Sequence, residues 1–424
     1  MGADDNPLRD NSQIPAGFTY LGQFIDHDVS FDPTPLARRG DRNKVVNLRT
    51  PRLDLDSLYG SGPVAQPFLY DWKESGPPGI SLLVGRNSFD GVEDLPRNQQ
   101  GRALIGDARN DANAIIAQLH LLFIRFHNAV VEQLARSGVP DVDLFEQAQK
   151  IVRWHYQWIV VHEFLPKVVG AKMADDVLSP GDARTAPTVH RKYFTPNGEP
   201  FIPLEFSGAA FRFGHSMVRP EYGIKRLPDD EMAVYAIAIL PDLGGLTWLQ
   251  ESHVIDWERF FDLSELPSQP RQVQFSMRID TSIAKPLFDV PDGPPELPRR
   301  NLVRGRKLRL PSGQVVAGRM REAVLTDEQL QLDKLDPGVR DELRTATPLW
   351  HYVLCEAPDG KHLGPIGGRI VAEVLVGLLE DDPNSYLGRE PNWRPEELGT
   401  GGDFTMADLV RIARGASGRP PAGT

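Results

Sequence analysis

The chain has 424 residues, 40% of them apolar and 25% charged, the balance of an ordinary soluble globular protein. A formal net charge of −11 argues against a nucleic-acid or anionic-membrane surface. A single cysteine, Cys355, excludes an intramolecular disulfide and fits a reducing compartment.

Residues 1–20 read as an irregular arm. Its start, Met1-Gly2-Ala3-Asp4-Asp5-Asn6, is acidic and lacks the apolar stretch of a secretory signal, and Asn6 stands where a myristoylation signal needs Ser or Thr. No run of about 18 apolar residues is found, so no transmembrane helix is expected and the cytoplasm is the default compartment. Next comes Leu21-Gly22-Gln23-Phe24-Ile25-Asp26-His27-Asp28. Gln23, Asp26 and His27 stand at i, i+3 and i+4, so on a helix they share a face, and Asp28 points about a quarter turn away. One short element can then offer a base and a carboxylate to one cavity and a hard oxygen ligand to another site. The plainer alternative is a polar helix start with both aspartates in solvent.

The prolines of Phe31-Asp32-Pro33-Thr34-Pro35 end that helix. Residues 36–100 read as long loops rich in Pro, Gly and Asn. Apolar residues at Ile115, Leu119, Leu122, Phe126 and Val130 predict a helix over 111–136, closed by Gly138. A second long helix is expected over about 142–168, a Pro-rich loop at 186–203 and a shorter helix around 205–218. Helical pattern returns near 319–344, 367–380 and 405–414. Segment 286–300 reads as loop and 415–424 as a flexible tail. Strand alternation is scarce. The expected architecture is mainly α, one domain over 21–414, with long loops of the kind that carry function or are held by ions.

Four segments belong together. They are Gln23…Asp26-His27-Asp28, then Thr50-Pro51-Arg52-Leu53-Asp54-Leu55-Asp56, then Gly106-Asp107-Ala108-Arg109, and last Ala210-Phe211-Arg212-Phe213-Gly214-His215-Ser216 with Asn301-Leu302-Val303-Arg304-Gly305-Arg306. Their order, spacing and wording resemble the animal-type haem peroxidases, the peroxidase–cyclooxygenase superfamily that includes myeloperoxidase and lactoperoxidase. The resemblance runs from about Leu21 to Ser385. It takes in Leu58-Tyr59-Gly60-Ser61, AQLHLLFIRFHN at 117–128, and HLGPIGGRIVAEVLVGLL at 362–379, which looks like the compact bacterial members. It implies a single-domain fold with haem buried between helices. It also implies an enzyme that reduces hydrogen peroxide through Compound I and oxidises phenols, iodide, bromide and thiocyanate. The implied partners are peroxide and small donors or halides, with no nucleic acid, and a monomer is expected.

The resemblance also assigns roles to residues. His27 falls on the base over the open haem face, a neutral imidazole that takes a proton from peroxide and returns it to the leaving oxygen. Arg109 matches the arginine that stabilises charge as the O–O bond breaks; by itself it reads as a helix-start arginine paired with Asp107 or Asp111. Gln23 matches the amide associated with halide and water. Asp26 stands at a haem-ester position. The second ester position is Ala112 and the methionine-link position is Asn113, so at most one covalent link to haem b is available. A less distorted haem should oxidise chloride poorly.

His215 aligns with the iron ligand, Asn301 with the acceptor of its Nδ1–H, and Arg304 with an arginine near the haem propionates. Arg212, grouped with these haem contacts, stands where the oxygenases carry a radical tyrosine. On spacing alone His120, His127, His155 and His162, on longer helices, look more like metal ligands than His215 does; only the motif selects His215. Asp28, Asp54 and Asp56, with Thr50 and the Arg52 carbonyl, match the family's calcium positions and supply roughly six or seven hard oxygens, a set suited to Ca²⁺. The competing functions are a fatty-acid dioxygenase of the same superfamily, a metal-dependent HD-type phosphohydrolase using His27-Asp28, and a calcium-bound interaction protein without catalysis.

Overall fold

The computed structural model describes residues 2–3, 9–32, 47–72, 79–87, 89–181, 185–196, 198–227, 230–245, 247–264, 273–291 and 294–415. The proline pair at 33–35 and all but the first residue of the expected tail lie outside the described residues.

Part of the expected arm is ordered. Strand β1 (Asp10–Pro15) pairs antiparallel with residues 275–277. Helix α1 (Gly17–Val29) starts earlier than its motif and buries Phe18, Leu21, Phe24 and Ile25. No side chain caps its start; instead the Ala16 N–H donates to the Gln274 carbonyl and the Gly17 N–H to that of Phe260, each at 2.9 Å. The loops that follow hold a one-turn helix at Asp56–Tyr59 and a 3-10 turn at Ala108–Asp111. A Cβ on Gly106 would lie 2.5 Å from the Ser57 carbonyl oxygen, so only glycine lets these two segments approach so closely.

Helix α2 (Ala114–Arg136) is the centre of the core and packs on α1. Asn113 caps it by accepting from the Ile115 and Ile116 N–H groups. Contrary to the expectation of no such run, α2 is long and apolar enough to cross a membrane, with a mean hydropathy of 1.5. That stretch is 89% buried, which accounts for its apolarity as core packing. Helix α3 (Asp141–Trp158) packs on α2 and runs through a π-helical stretch, Ile159–Phe164, into Leu165–Val169, matching the long helix expected at 142–168.

The helix expected at 205–218 is broken. It forms α4 (Leu204–Gly208), a 3-10 turn at Ala210–Phe213 and α5 (Gly214–Met217), because Ala209 leaves helical geometry at φ −142°, ψ −70°. The break lets Phe211 stack on Phe206 at 4.5 Å and turns the chain at His215. A hairpin of β2 (Glu221–Leu227) and β3 (Asp230–Ala238) follows, and β4 (Phe275–Met277) is the partner of β1.

Segment 286–300 is not all loop. Helix α6 (Leu297–Lys307) begins in it, with Pro298 in its first turn, and Arg299, Arg300, Arg304, Arg306 and Lys307 make it basic within an acidic chain. The helical pattern near 319–344 resolves into α7 (Gly313–Met320) and α8 (Pro337–Ala346) with turns between. Then come α9 (Leu349–Cys355), α10 (Pro365–Glu380) and α11 (Met406–Gly415). Helix α10 is apolar nearly all round and buried accordingly. Its one buried carboxylate, Glu373, accepts from the Tyr193 and Phe194 N–H groups and so pins the Pro-rich loop. A Leu→Ala change in such a helix costs about 2–5 kcal/mol.

Candidate active site

A cavity of about 900 Å³ opens between α1 and the broken segment that carries His215. Gln23, Asp26 and His27 line it from α1, and Arg109, Ala112 and Asn113 from the turn leading into α2. Arg212 and His215 line it from the broken segment and Arg304 from α6, with Phe18, Phe211 and Leu308 among the apolar walls. The size lies in the range of sites for large ligands, roughly 300–1,000 Å³.

On the α1 wall, the polar groups are bonded to one another. His27 is buried, with Nδ1 2.8 Å from the Asn110 side-chain oxygen, so Nδ1 donates and Nε2 keeps its lone pair. Burial, helped by the Arg109 charge, lowers its pKa from 6.5 to about 4, so the ring is neutral near pH 7. Arg109 donates through Nε and Nη2 to Asp107, and through Nη2 also to the His27 carbonyl at 3.0 Å. The pairing read from sequence as the plain alternative is thus made, and Arg109 lines the cavity as well. Its guanidinium lies 4.5 Å from the centre of the Phe31 ring. Burial opposes the Asp107 charge, but the Arg109 bonds outweigh it and hold that carboxyl below its usual value.

Asn113, whose oxygen is occupied by the α2 N–H groups, donates through Nδ2 to Gln23 Oε1 at 3.3 Å. Among the described residues, that leaves the Gln23 amide nitrogen as its uncommitted end. Asp26 accepts from the Ser30 hydroxyl at 3.0 Å. Ala112 and Asn113 both line the cavity, so neither ester nor thioether chemistry is available at those two positions.

Across the cavity, the side-chain nitrogen of Asn301 lies 2.7 Å from His215 Nδ1, while the buried Asn301 oxygen has no partner among the described residues. Burial, with the Arg212 and Arg304 charges, lowers the His215 pKa to about 3, so this ring is also neutral. Arg212 donates from Nε to the Ser207 carbonyl at 2.7 Å.

Asp28 turns away from the cavity. It is fully buried, and its carboxylate oxygens gather with those of Asp54 and Asp56 within 4.8 Å of one another. It accepts from the Leu55 N–H at 3.2 Å and the Ser57 hydroxyl at 3.4 Å. Burial and then the Asp54 and Asp56 charges push the Asp28 pKa far up. Burial, partly offset by Arg153, raises Asp54 to about 6. Three carboxylates held this way invite a cation. Thr50 directs its N–H toward Asp56, and its carbonyl accepts from the Arg52 N–H at 2.7 Å. The Arg52 side chain faces Asp382 at 3.7 Å.

Sequence reasoning passed over several residues that shape the cavity. Asn110 was unassigned, although it adjoins Arg109 in the quoted motif, and His120 was read only as a candidate metal ligand. Arg49 was missed altogether; it donates to Asp107 and pairs with Asp56 at 3.2 Å, joining the cavity rim to the carboxylate cluster. The other helix histidines are committed elsewhere. His127 contacts the Tyr59 hydroxyl and the Ile80 carbonyl, His155 the Ile151 carbonyl, and His162 the Tyr386 hydroxyl. None of these lines the cavity, and among the described residues the aspartate trio is the one cluster with metal-ligand spacing. A phosphohydrolase centre assembled from them has no geometric support.

Comparison with known proteins gives one answer. A family profile described as animal haem peroxidase matches residues 34–242. The chorion peroxidase of Drosophila melanogaster is 30% identical over 267 residues, 60% of this chain and 31% of that protein. The human thyroid peroxidase is 25% identical over 231 residues, 50% of this chain and 23% of that one. The chain therefore spans less than a third of either relative. Among solved structures, peroxidase A from Dictyostelium discoideum superposes with a TM-score of 0.68 at 18% identity, covering 99% of this chain and 88% of that one. The Oryza sativa fatty acid alpha-dioxygenase gives 0.63 at 14% identity, covering 98% and 74%. These two likenesses establish the mainly α fold.

Proposed function

We propose that this chain, which matches the animal haem peroxidase profile over residues 34–242, is a peroxidase that reduces hydrogen peroxide and oxidises small donors, with a catalytic domain spanning 21–414. One observation carries the reading: two neutral histidines and an arginine line a single cavity of cofactor size.

The residues present fit a haem. His215 is a neutral imidazole able to ligate iron through Nε2 once Nδ1 carries the proton. The partnerless Asn301 oxygen is the group that would accept that proton after a half-turn of its amide. Arg212 and Arg304 would face the propionate carboxylates, and Asp26 would offer the one ester. Haem, when bound, supplies the iron that takes up the oxidising equivalents of peroxide.

The chain's own groups do the rest. His27 Nε2 accepts a proton from one peroxide oxygen and returns it to the other, the leaving oxygen. Arg109, held by Asp107, places positive charge beside that oxygen at no cost in reorganisation. The Gln23 amide nitrogen donates to water or a small anion. Asp28, Asp54 and Asp56, with oxygens from Thr50 and Arg52, would bind Ca²⁺ and anchor the far face of α1. Tyr20 is the single tyrosine among the described lining residues, and Arg212 occupies the radical-tyrosine position, which disfavours fatty-acid oxygenation.

Pyridine haemochrome measurement after acid–acetone extraction tests haem and its attachment together. We expect haem b with at most one linkage. Haem-supplemented protein without a Soret band would overturn the reading. With Ala112 and Asn113 in place of two linkages, bromide, iodide and phenols should be oxidised well and chloride little. Monochlorodimedone chlorination matching bromination near neutral pH would contradict this.

A further inference from the structure

The turn that carries Arg109 also carries Asn110, which is fully buried and sits between two histidine rings. Its side-chain oxygen is 2.8 Å from His27 Nδ1, and its nitrogen is 3.1 Å from Nδ1 of His120, on the second turn of α2. His120 is 1% exposed and rests edge-on against Phe24 of α1, with ring centres 6.0 Å apart. We propose that Asn110 and His120 are positioning residues that hold His27 in the tautomer with its proton on Nδ1 and its lone pair on Nε2.

A neutral imidazole carries one proton, and which nitrogen holds it is decided by the partner of the other. An amide can serve His27 Nδ1 by either end. Presented with its oxygen, it requires an N–H at Nδ1 and frees Nε2 as a base. Presented with its nitrogen, it requires a lone pair at Nδ1, puts the proton on Nε2, and removes the base from the cavity. His120 breaks the tie when its own proton sits on Nε2, since its Nδ1 then takes the donor end of Asn110 and directs the amide oxygen at His27. Buried rings resist protonation, so the pattern is not scrambled by imidazolium. His120 thus acts on the cavity without lining it.

This deepens the peroxidase reading and rests on it, so its test includes a readout that does not depend on turnover. The full chain is loaded with diamagnetic zinc protoporphyrin and labelled with ¹⁵N-histidine. Wild-type His27 should show a protonated Nδ1 and an unprotonated Nε2. Asn110→Leu and His120→Leu should shift both signals toward a tautomer mixture, and His120→Asn, which keeps an acceptor near the Nδ1 position, should restore them. In the haem-loaded enzyme, the rate constant with peroxide should fall about tenfold or more in the two leucine variants and recover in His120→Asn. The rate of donor oxidation after peroxide has reacted should change little. A proton on Nε2 of wild-type His27, or a tautomer unmoved in both leucine variants, would overturn the proposal. Shifted tautomers with an unchanged peroxide rate would uphold the lock and overturn His27 as the base.

Discussion

The two walls of the cavity are built in opposite ways. On the α1 wall, His27, Arg109, Gln23 and Asp26 each have a protein partner, and those partners come from a few neighbouring residues, 30 and 107–113. On the facing wall, the helix is broken at Ala209, and among the described residues His215 hydrogen-bonds one polar side chain, Asn301, whose oxygen is left without a partner. The first wall is ordered by its own bonds. The second offers valences that a cofactor would complete. Damage to the first should therefore cost rate, and damage to the second should cost binding.

The sharpest break is His215→Ala, which removes the proposed iron ligand from the less self-sufficient wall. We expect loss of the native Soret spectrum and of activity together; a retained native spectrum with full activity would dissolve the distinction between the walls. Next in size is His27→Ala. Haem content should hold while the rate constant with peroxide falls roughly 10²–10⁴-fold. If His27 and Arg109 serve one step, as proposed, the double variant should be little worse than the poorer single, as stopped-flow measurement can decide.

A smaller effect should come from the far face of α1. Chelation should lower the melting temperature and loosen the α1 wall, with Ca²⁺ restoring both. The pH dependence has a definite sign. Asp54 has its pKa raised by folding from 3.8 to about 6 when no cation neutralises the cluster. A group so raised favours the fold below pH 4 and loses that contribution as pH climbs through about 6. Chelated protein should thus lose melting temperature between about pH 4 and 6, and Ca²⁺ should abolish that loss. Equal profiles with and without Ca²⁺ would count against the site. The smallest effect is expected from Asn113→Asp. The α2 cap survives, but the donor to Gln23 becomes an acceptor, so the glutamine amide should turn over. Binding of iodide or thiocyanate should weaken severalfold with little change in the peroxide rate.

Residues named by motif were legible where the motif was local. Gln23, Asp26, His27 and Asp28 fall on one helix because their spacing is helical, α2 and α11 carry a helical period, and α10 shows as a long apolar run. Helix α6 was read in part as loop because Pro and Arg dominate it, and its apolar residues are too few to set a period. The break at Ala209 has no spacing signature; it goes with the stacking of Phe211 on Phe206, a contact that spacing does not encode. Asn110 and His120 were invisible as a pair because their meaning lies in the edge each turns to the other. Arg49 was lost for the same reason, since it bridges segments far apart in sequence.

Helix α1 divides its duties by angle. Each residue turns the helix by about 100°, and that angle separates the cavity face from the carboxylate face. One residue inserted or deleted between Gln23 and His27 would swing the His27 imidazole out of the cavity while sparing every side chain by name. The length of this segment is therefore held more tightly than its lettering. Exchanges of apolar residues at Leu21 or Ile25 should be survivable, and a frame slip of a single position should not.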